Sequence, residues 1–239
     1  MNRCVLLGVM VVAGSASSAL AGGDFLVRRA SAVDLFVGGT SRSTGLQFNG
    51  GGPTSIETGT FNLEKSADGG MTYESFHTYC VEVGKPAPPV MPIAYDIRPL
   101  SDKFSASETT ALRIIWDNAF DLSDNNAINA AAFQAIVWEF AQDDSFNLVP
   151  GLGQQFNLAQ AENAVRDLAN LWFANVGNAT WTTEANLILL ASNELAPGSQ
   201  LDYQDLLMEM PREIIPLPTA GLMASVGLLG LASVRRRTK

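Results

Sequence analysis

The pattern of apolar and turn-forming residues changes once along this chain, near residue 100, and that change constrains the fold more than any other feature. From Asp24 to Leu100 the β-favouring runs are short: Val33–Val37, Thr60-Phe-Asn-Leu63, Met71–Val83 and Ile93–Leu100. Asn49-Gly-Gly-Gly-Pro53, Asp68-Gly-Gly70 and Lys85-Pro-Ala-Pro-Pro89 separate them, and such residues turn a chain by allowing positive φ or fixing φ. Helical signals then take over. Ser105-Ala-Ser-Glu108 has capping-box spacing and predicts a helix through Ile114, Ile115 and Trp116 to about Phe120. Asp124-Asn-Asn126 precedes a second helix, Ala127–Ala141, and a third is predicted over Leu158–Val176 after the Pro150-Gly-Leu-Gly153 turn. Asn186–Ala191 and Leu201–Met210 read as returning strands. Strands, then helices, then strands predict an α+β domain: a mostly antiparallel sheet or β-sandwich with a helical insertion.

The two ends differ from this middle. Met1-Asn-Arg-Cys4 is a short positive start, Val5–Ala13 an apolar run, and Gly14–Ala21 a stretch of small residues ending Ala19-Leu-Ala21. That order is a secretion signal over residues 1–21, cleaved after Ala21, with Ala19 and Ala21 at the cleavage site. The apolar run falls short of the roughly 20 residues a membrane-spanning helix needs. At the other end, Ile214-Ile-Pro216-Leu217-Pro218 leads into the uncharged segment Thr219–Val234 and then Arg235-Arg236-Arg237-Thr-Lys239. The segment has no polar face, so it is expected to be a short membrane helix with its arginine end in the cytoplasm. One domain, 22–213, lies between.

That domain is acidic. All 24 Asp and Glu fall between Asp24 and Glu213, against ten Lys and Arg there, a formal charge of −14 where the whole chain carries −9. Such a surface repels phosphate backbones and excludes nucleic acid as a partner. Signal cleavage removes Cys4 and leaves Cys80 as the one cysteine, so no internal disulfide is expected and an exported thiol needs a reason.

Gln134 poses a related problem. Its helical neighbours three and four residues away are Ala130, Ala131, Val137 and Trp138, all apolar. Burying an amide without partners costs roughly 2–7 kcal/mol, so nearby backbone must satisfy it or a reaction must consume it. Strand alternation sets Cys80 on one face with Thr78 and Glu82, opposite Tyr79, Val81 and Val83, whereas a core cysteine would share the apolar face. One chemistry uses both residues. A cysteine sulfur attacking a glutamine side-chain carbonyl expels ammonia and leaves an internal thioester, an acyl group waiting for an amine or hydroxyl. It needs preorganised groups, shelter from water and no competing thiol.

Two resemblances bear on these motifs. The Pro-Leu-Pro head, short helix and arginine cluster over residues 214–239 resemble the PEP-CTERM family of sorting signals, in the form headed Val-Pro-Leu-Pro-Ala. Leu217 stands where the common motif has Glu. The resemblance implies a Gram-negative-type bacterium, transient membrane anchoring through the C-terminal helix, and an exosortase cutting near Pro216-Leu217-Pro218. Tyr79-Cys80-Val81-Glu82-Val83 and Phe133-Gln134-Ala-Ile-Val-Trp138-Glu139 resemble the Cys and Gln segments of bacterial thioester domains. Phe133 replaces a frequent Thr and Ile136 a usual Ala. This second resemblance implies a Cys80–Gln134 cross-link with Tyr79, Glu82 and Trp138 around it, and covalent attachment to an amine- or hydroxyl-bearing surface partner.

Other motifs read as structure. His77 and Cys80 lie on opposite strand faces, and His77 is the only histidine, which removes most His-based metal and triad chemistry. In Asp121-Leu-Ser-Asp-Asn-Asn126, Asn126 replaces the required Gly of a calcium loop and Ala132 its bidentate Glu, so the segment reads as a helix-capping linker. Gly151-Leu-Gly153 is a turn, and Trp116, Trp138 and Trp172 occupy core helical positions. No cofactor, metal or enzymatic machinery is called for. The alternative to covalent capture is a structural or carbohydrate-associated matrix domain with an inert Cys80.

Overall fold

Asp68-Gly-Gly70 separates the second and third β-favouring runs as expected, with Gly69 and Gly70 at φ 73° and 88°, a region that disfavours side chains bearing Cβ. On either side β4 (Phe61–Ser66) and β5 (Glu74–Cys80) pair antiparallel, Phe61 opposite Thr78 and Lys65 opposite Glu74. The computed structural model describes residues 24–210, apart from positions 33, 40, 49–53, 125, 143–147, 149–155, 159–160, 182, 193, 197 and 199–201. The signal segment 1–21 and the tail 214–239 lie outside the described residues.

Among the described residues there are nine strands and three α-helices. The other strands are β1 (Phe25–Arg29), β2 (Arg42–Phe48), β3 (Thr54–Thr58), β6 (Ile93–Arg98), β7 (Phe156–Asn157), β8 (Leu187–Ala191) and β9 (Leu206–Glu209). Six of them close into an antiparallel barrel in the order β1-β4-β5-β9-β8-β6, with β6 returning to β1. A second, three-stranded sheet has the order β3-β2-β7. The mixed α+β class therefore holds, and the main sheet closes on itself where an open sheet or sandwich was expected. Closure leaves no free edge among the six strands.

The helices α1 (Ala106–Ser123), α2 (Ala127–Gln142) and α3 (Asn163–Asn175) fall between β6 and β8, as an insertion. The capping box forms: Ser105 Oγ accepts from the Glu108 N–H at 3.3 Å and Glu108 Oε2 accepts from the Ser105 N–H at 2.7 Å. Asn126 caps α2, its Oδ1 accepting from the N–H groups of Ile128 and Asn129 at 3.0 and 3.1 Å, the linker role expected of 121–126. Helix α2 is buried on every side from Ala130 to Phe140, with Gln134 and Glu139 the two polar residues in an otherwise apolar span. Phe133 stacks on Tyr79 of β5 with centroids 4.5 Å apart, and Phe120 and Trp172 meet Phe133 edge-on at 6.0 and 6.2 Å. Trp116, Trp138 and Trp172 are all buried.

Some elements differ from expectation. The described part of the predicted run Val33–Val37, Asp34–Val37, is no strand: Phe36 makes a single bridge to Phe61, and a 3-10 turn follows over Val37–Gly39 with Gly38 at φ 61°. Helix α3 starts at Asn163, five residues later than predicted, and the two residues before the predicted start, Phe156 and Asn157, pair with β2. No helix among the described residues is long and apolar enough to cross a membrane.

Candidate functional site

Strand β5 outruns its neighbour. The pairing with β4 ends at Phe61 opposite Thr78, while on the other side β9 continues with Leu207 opposite Tyr79 and Leu206 opposite Cys80. The Val81 N–H donates to the Asp205 carbonyl on the β9 side at 2.9 Å. Backbone groups alternate along a strand, so the N–H and C=O of Cys80 point the other way, to where β4 has not yet begun. Two buried backbone groups need partners there.

Gln134 supplies both. Its Oε1 accepts from the Cys80 N–H at 3.2 Å and its Nε2 donates to the Cys80 carbonyl at 2.7 Å. The Cys80 Sγ lies 3.3 Å from the same Oε1. Cys80 is 2 % exposed and Gln134 1 %. The side-chain amide makes the two hydrogen bonds that a strand beyond the Phe61–Thr78 pair would make, which answers how a lone amide survives in an apolar stripe.

The pair can also do chemistry. The sulfur touches the carboxamide it would attack. The Cys80 N–H on Oε1 polarises the carbonyl and is aimed at the charge that develops on that oxygen during attack. Burial pushes the Cys80 thiol up to about 12; the Trp138 indole N–H pulls the other way, and the nearby Glu82 charge adds to the rise. A buried thiol of that kind is a slow nucleophile.

A cavity of about 700 Å³ opens on the pair, with Phe36, Phe61, Trp138, Lys85 and Gln204 among its walls. Gly84, at φ 87°, turns the chain after β5 so that Lys85 joins this wall. The 84–87 loop is tied down by Gln204, whose N–H donates to the Pro86 carbonyl at 3.0 Å and whose Nε2 donates to the Glu82 carbonyl at 3.2 Å.

Of the predicted surroundings, Trp138 faces both the sulfur and the cavity. Tyr79 faces Phe133 and hydrogen-bonds Thr60 at 2.7 Å, and burial keeps its phenol neutral far above the ordinary range. Glu82 is buried, and two lysines hold it: Lys103 Nζ at 2.5 Å and Lys85 Nζ at 3.2 Å from Oε1. Its Oε2 accepts from the Asp205 N–H at 2.7 Å. Burial of the Glu82 carboxyl is outweighed by Lys103 and the Asp205 N–H, so it stays below the usual carboxylate range. Asp205 is pushed up to about 7, first by burial and then by the Glu82 charge. Lys103, Asp205 and Gln204 escaped sequence reasoning, since no spacing links three segments that meet only in the fold.

The facial argument for Cys80 does not separate a core from a reactive cysteine: Thr78, Tyr79, Cys80, Val81 and Glu82 are all buried, so both faces of the strand end are covered. His77 lies apart from the pair, its Nδ1 2.9 Å from Asp124 Oδ2. Among the described residues no group of three or more His, Cys, Asp or Glu is placed to hold a metal ion. The sorting residues Pro216, Leu217, Pro218, Arg235, Arg236 and Arg237 and the cleavage residues Ala19 and Ala21 lie outside the described residues. Comparison with protein-family models, with curated proteins and with solved structures found no match to this chain.

Proposed function

We propose that this chain is an exported surface or extracellular-matrix protein that captures an amine- or hydroxyl-bearing partner covalently through a Cys80–Gln134 thioester. Residues 1–21 direct export. The PEP-CTERM-like tail, 214–239, holds the protein transiently in the membrane until an exosortase-type system processes it. The observation that carries the covalent part is the approach of Sγ to within 3.3 Å of the Gln134 amide oxygen, inside the wall of a cavity.

The reaction balances simply. The Cys80 sulfur bonds to Gln134 Cδ, the Cδ–Nε2 bond breaks, and ammonia leaves with the thiol proton. A partner amine then bonds to Cδ, the Sγ–Cδ bond breaks, and the thiolate takes the proton the amine releases. No cofactor takes part, and one capture per molecule distinguishes the protein from an enzyme.

A second reading has its own support. The two hydrogen bonds from Gln134 complete the pairing of Cys80, which is reason enough for a glutamine there in a non-covalent matrix domain. Intact mass separates the two. Covalent capture predicts a protein lighter than its sequence by one ammonia, a Cys80 masked to thiol reagents, and release of the thiol with uptake of one methylamine. Cys80→Ala and Gln134→Ala each abolish the deficit. A sequence-exact mass with no methylamine uptake in freshly folded protein refutes the thioester and leaves the matrix-domain reading.

A further inference from the structure

The cavity that opens on the pair already contains a primary amine. Lys85 is five residues from Cys80 in sequence, and it lines the same space as Cys80 and Gln134. An amine tethered beside an acyl group competes at an effective concentration on the order of millimolar. Even an ordinary lysine is about 0.1 % free amine at pH 7.4, so a tethered one matches an external alkylamine of similar pKa at about millimolar total concentration. A thioester beside an unrestrained Lys85 would be consumed from within.

Lys85 is not unrestrained. Its Nζ lies 3.1 Å from Asp202 Oδ1 and 3.2 Å from Glu82 Oε1. Two acceptors fix the direction of the ammonium as well as its charge. Burial alone would favour the free amine, but Asp202 and Glu82 outweigh it and hold Lys85 above the usual lysine range. Glu82 already serves Lys103 and the Asp205 N–H, whereas Asp202 gives its side chain to Lys85 and is one-third exposed. The two carboxylates lie far apart in sequence, just after β5 and on the approach to β9, and Lys85 joins them.

Resting on the thioester reading, we propose that Lys85 is the internal competitor for the Cys80–Gln134 acyl group and that Asp202, with Glu82, disarms it. Without the clamp, the Lys85 nitrogen bonds to Gln134 Cδ, the Sγ–Cδ bond breaks, and the thiolate takes the proton lost by the amine. The product is a Lys85–Gln134 isopeptide with a free Cys80 thiol. It has the same mass as the thioester, because ammonia left in the earlier step, but it no longer reacts with methylamine. The clamp thus reserves the acyl group for nucleophiles that enter the cavity from outside.

The test is Asp202→Asn in the full chain, which keeps the size of the side chain and removes its charge. Thiol labelling, intact mass and peptide mapping are followed over time beside wild type. The expected result is a free Cys80 thiol appearing about fivefold faster, the rate effect of losing an ion pair worth about 1 kcal/mol at a partly exposed site. The mass should not change, and a cross-linked peptide should join Lys85 to Gln134. Lys85→Arg alone should keep the methylamine-labile mass deficit, and Asp202→Asn with Lys85→Arg should restore its wild-type lifetime. Asp202→Asn protein that keeps its thiol masked as long as wild type overturns the proposal. So does loss of the thioester by uptake of water that Lys85→Arg fails to rescue. If wild type itself has a sequence-exact mass, the thioester reading fails and this proposal fails with it; a wild-type deficit with an unaffected variant rejects the clamp alone.

Discussion

Replacing Gln134 by glutamate tests the slot beside β5 directly, and a glutamate at this position is also what hydrolysis of a thioester there would leave. The substitution keeps shape and one acceptor, so the Cys80 N–H retains its partner. The second oxygen, however, takes the place of Nε2, 2.7 Å from the Cys80 carbonyl. An ionised carboxylate there sets oxygen against oxygen in a site 1 % exposed, and no cation reaches Gln134 among the described hydrogen bonds and ion pairs. The carboxyl is therefore protonated in the folded state, where its O–H donates to the Cys80 carbonyl and recovers the bond.

The sign follows from that preference. A folded-state pKa raised above the unfolded value leaves stability intact below the ordinary Glu value of about 4.3 and removes about 1.4 kcal/mol for each pH unit above it. At pH 7.4 the loss reaches roughly 4 kcal/mol, a large share of the 5–15 kcal/mol that holds a typical domain together. Denaturant unfolding at pH 4.5 to 7.5 measures it. Cys80→Ser and Cys80→Ser/Gln134→Glu proteins are compared, so that no thioester contributes on either side. Unfolding midpoints that stay parallel over this range would show that the amide orientation beside Cys80 is wrong.

Asp205→Asn should stabilise the protein progressively as pH rises from about 4 to 7 and by a constant amount above that, since Asp205 is raised from 3.8 to about 7 and its ionised form is the disfavoured one. The gain should be on the order of 1 kcal/mol, because Lys103 and Lys85 offset part of the Glu82 charge at this buried site, and thermal melts across that pH range check it. With the Cys80 thiol at about 12, ammonia loss on refolding should quicken about tenfold per pH unit between pH 7 and 9; a flat profile by mass spectrometry contradicts thiolate attack. Deleting residues 219–239 should yield an exported protein that never passes through a membrane-bound form, and fractionation that finds full-length protein permanently embedded with its tail uncut opposes the sorting proposal.

What the sequence disclosed was what local chemistry determines. The Ser105–Glu108 capping box, the Asn126 cap and the Gly69-Gly70 turn are each decided within a few residues, and each formed where expected. Strands β2 and β3 were missed because Arg42–Phe48 and Thr54–Thr58 are polar and carry Gly45 in mid-strand, so they lack an apolar alternation to read. Val33–Val37 had the apolar composition of a strand, but among its described residues only Phe36 forms a bridge, and the chain turns just after it at Gly38. Barrel closure depends on β6 meeting β1, about 65 residues earlier in the chain, and no periodicity encodes that. At the site, Gln134 stood out because its helix is apolar on every side. Lys103, Asp202 and Asp205 did not, because an isolated acidic or basic residue, on a loop or in a predicted strand, reads as solvent-facing until the fold brings its counter-charge.

The substitution of a side-chain amide for a missing strand residue has a mechanical consequence. A Cys80–Gln134 bond would rivet helix α2 to the barrel across a span of 54 residues, a closure that chain-entropy arguments value at about 4 kcal/mol against unfolding. Capturing a partner cuts that rivet, since the acyl group passes to the partner and Cys80 is left as a thiol. The protein would thus resist tension best before it has caught anything, and each capture would join the partner to the helix while freeing the helix from the barrel wall.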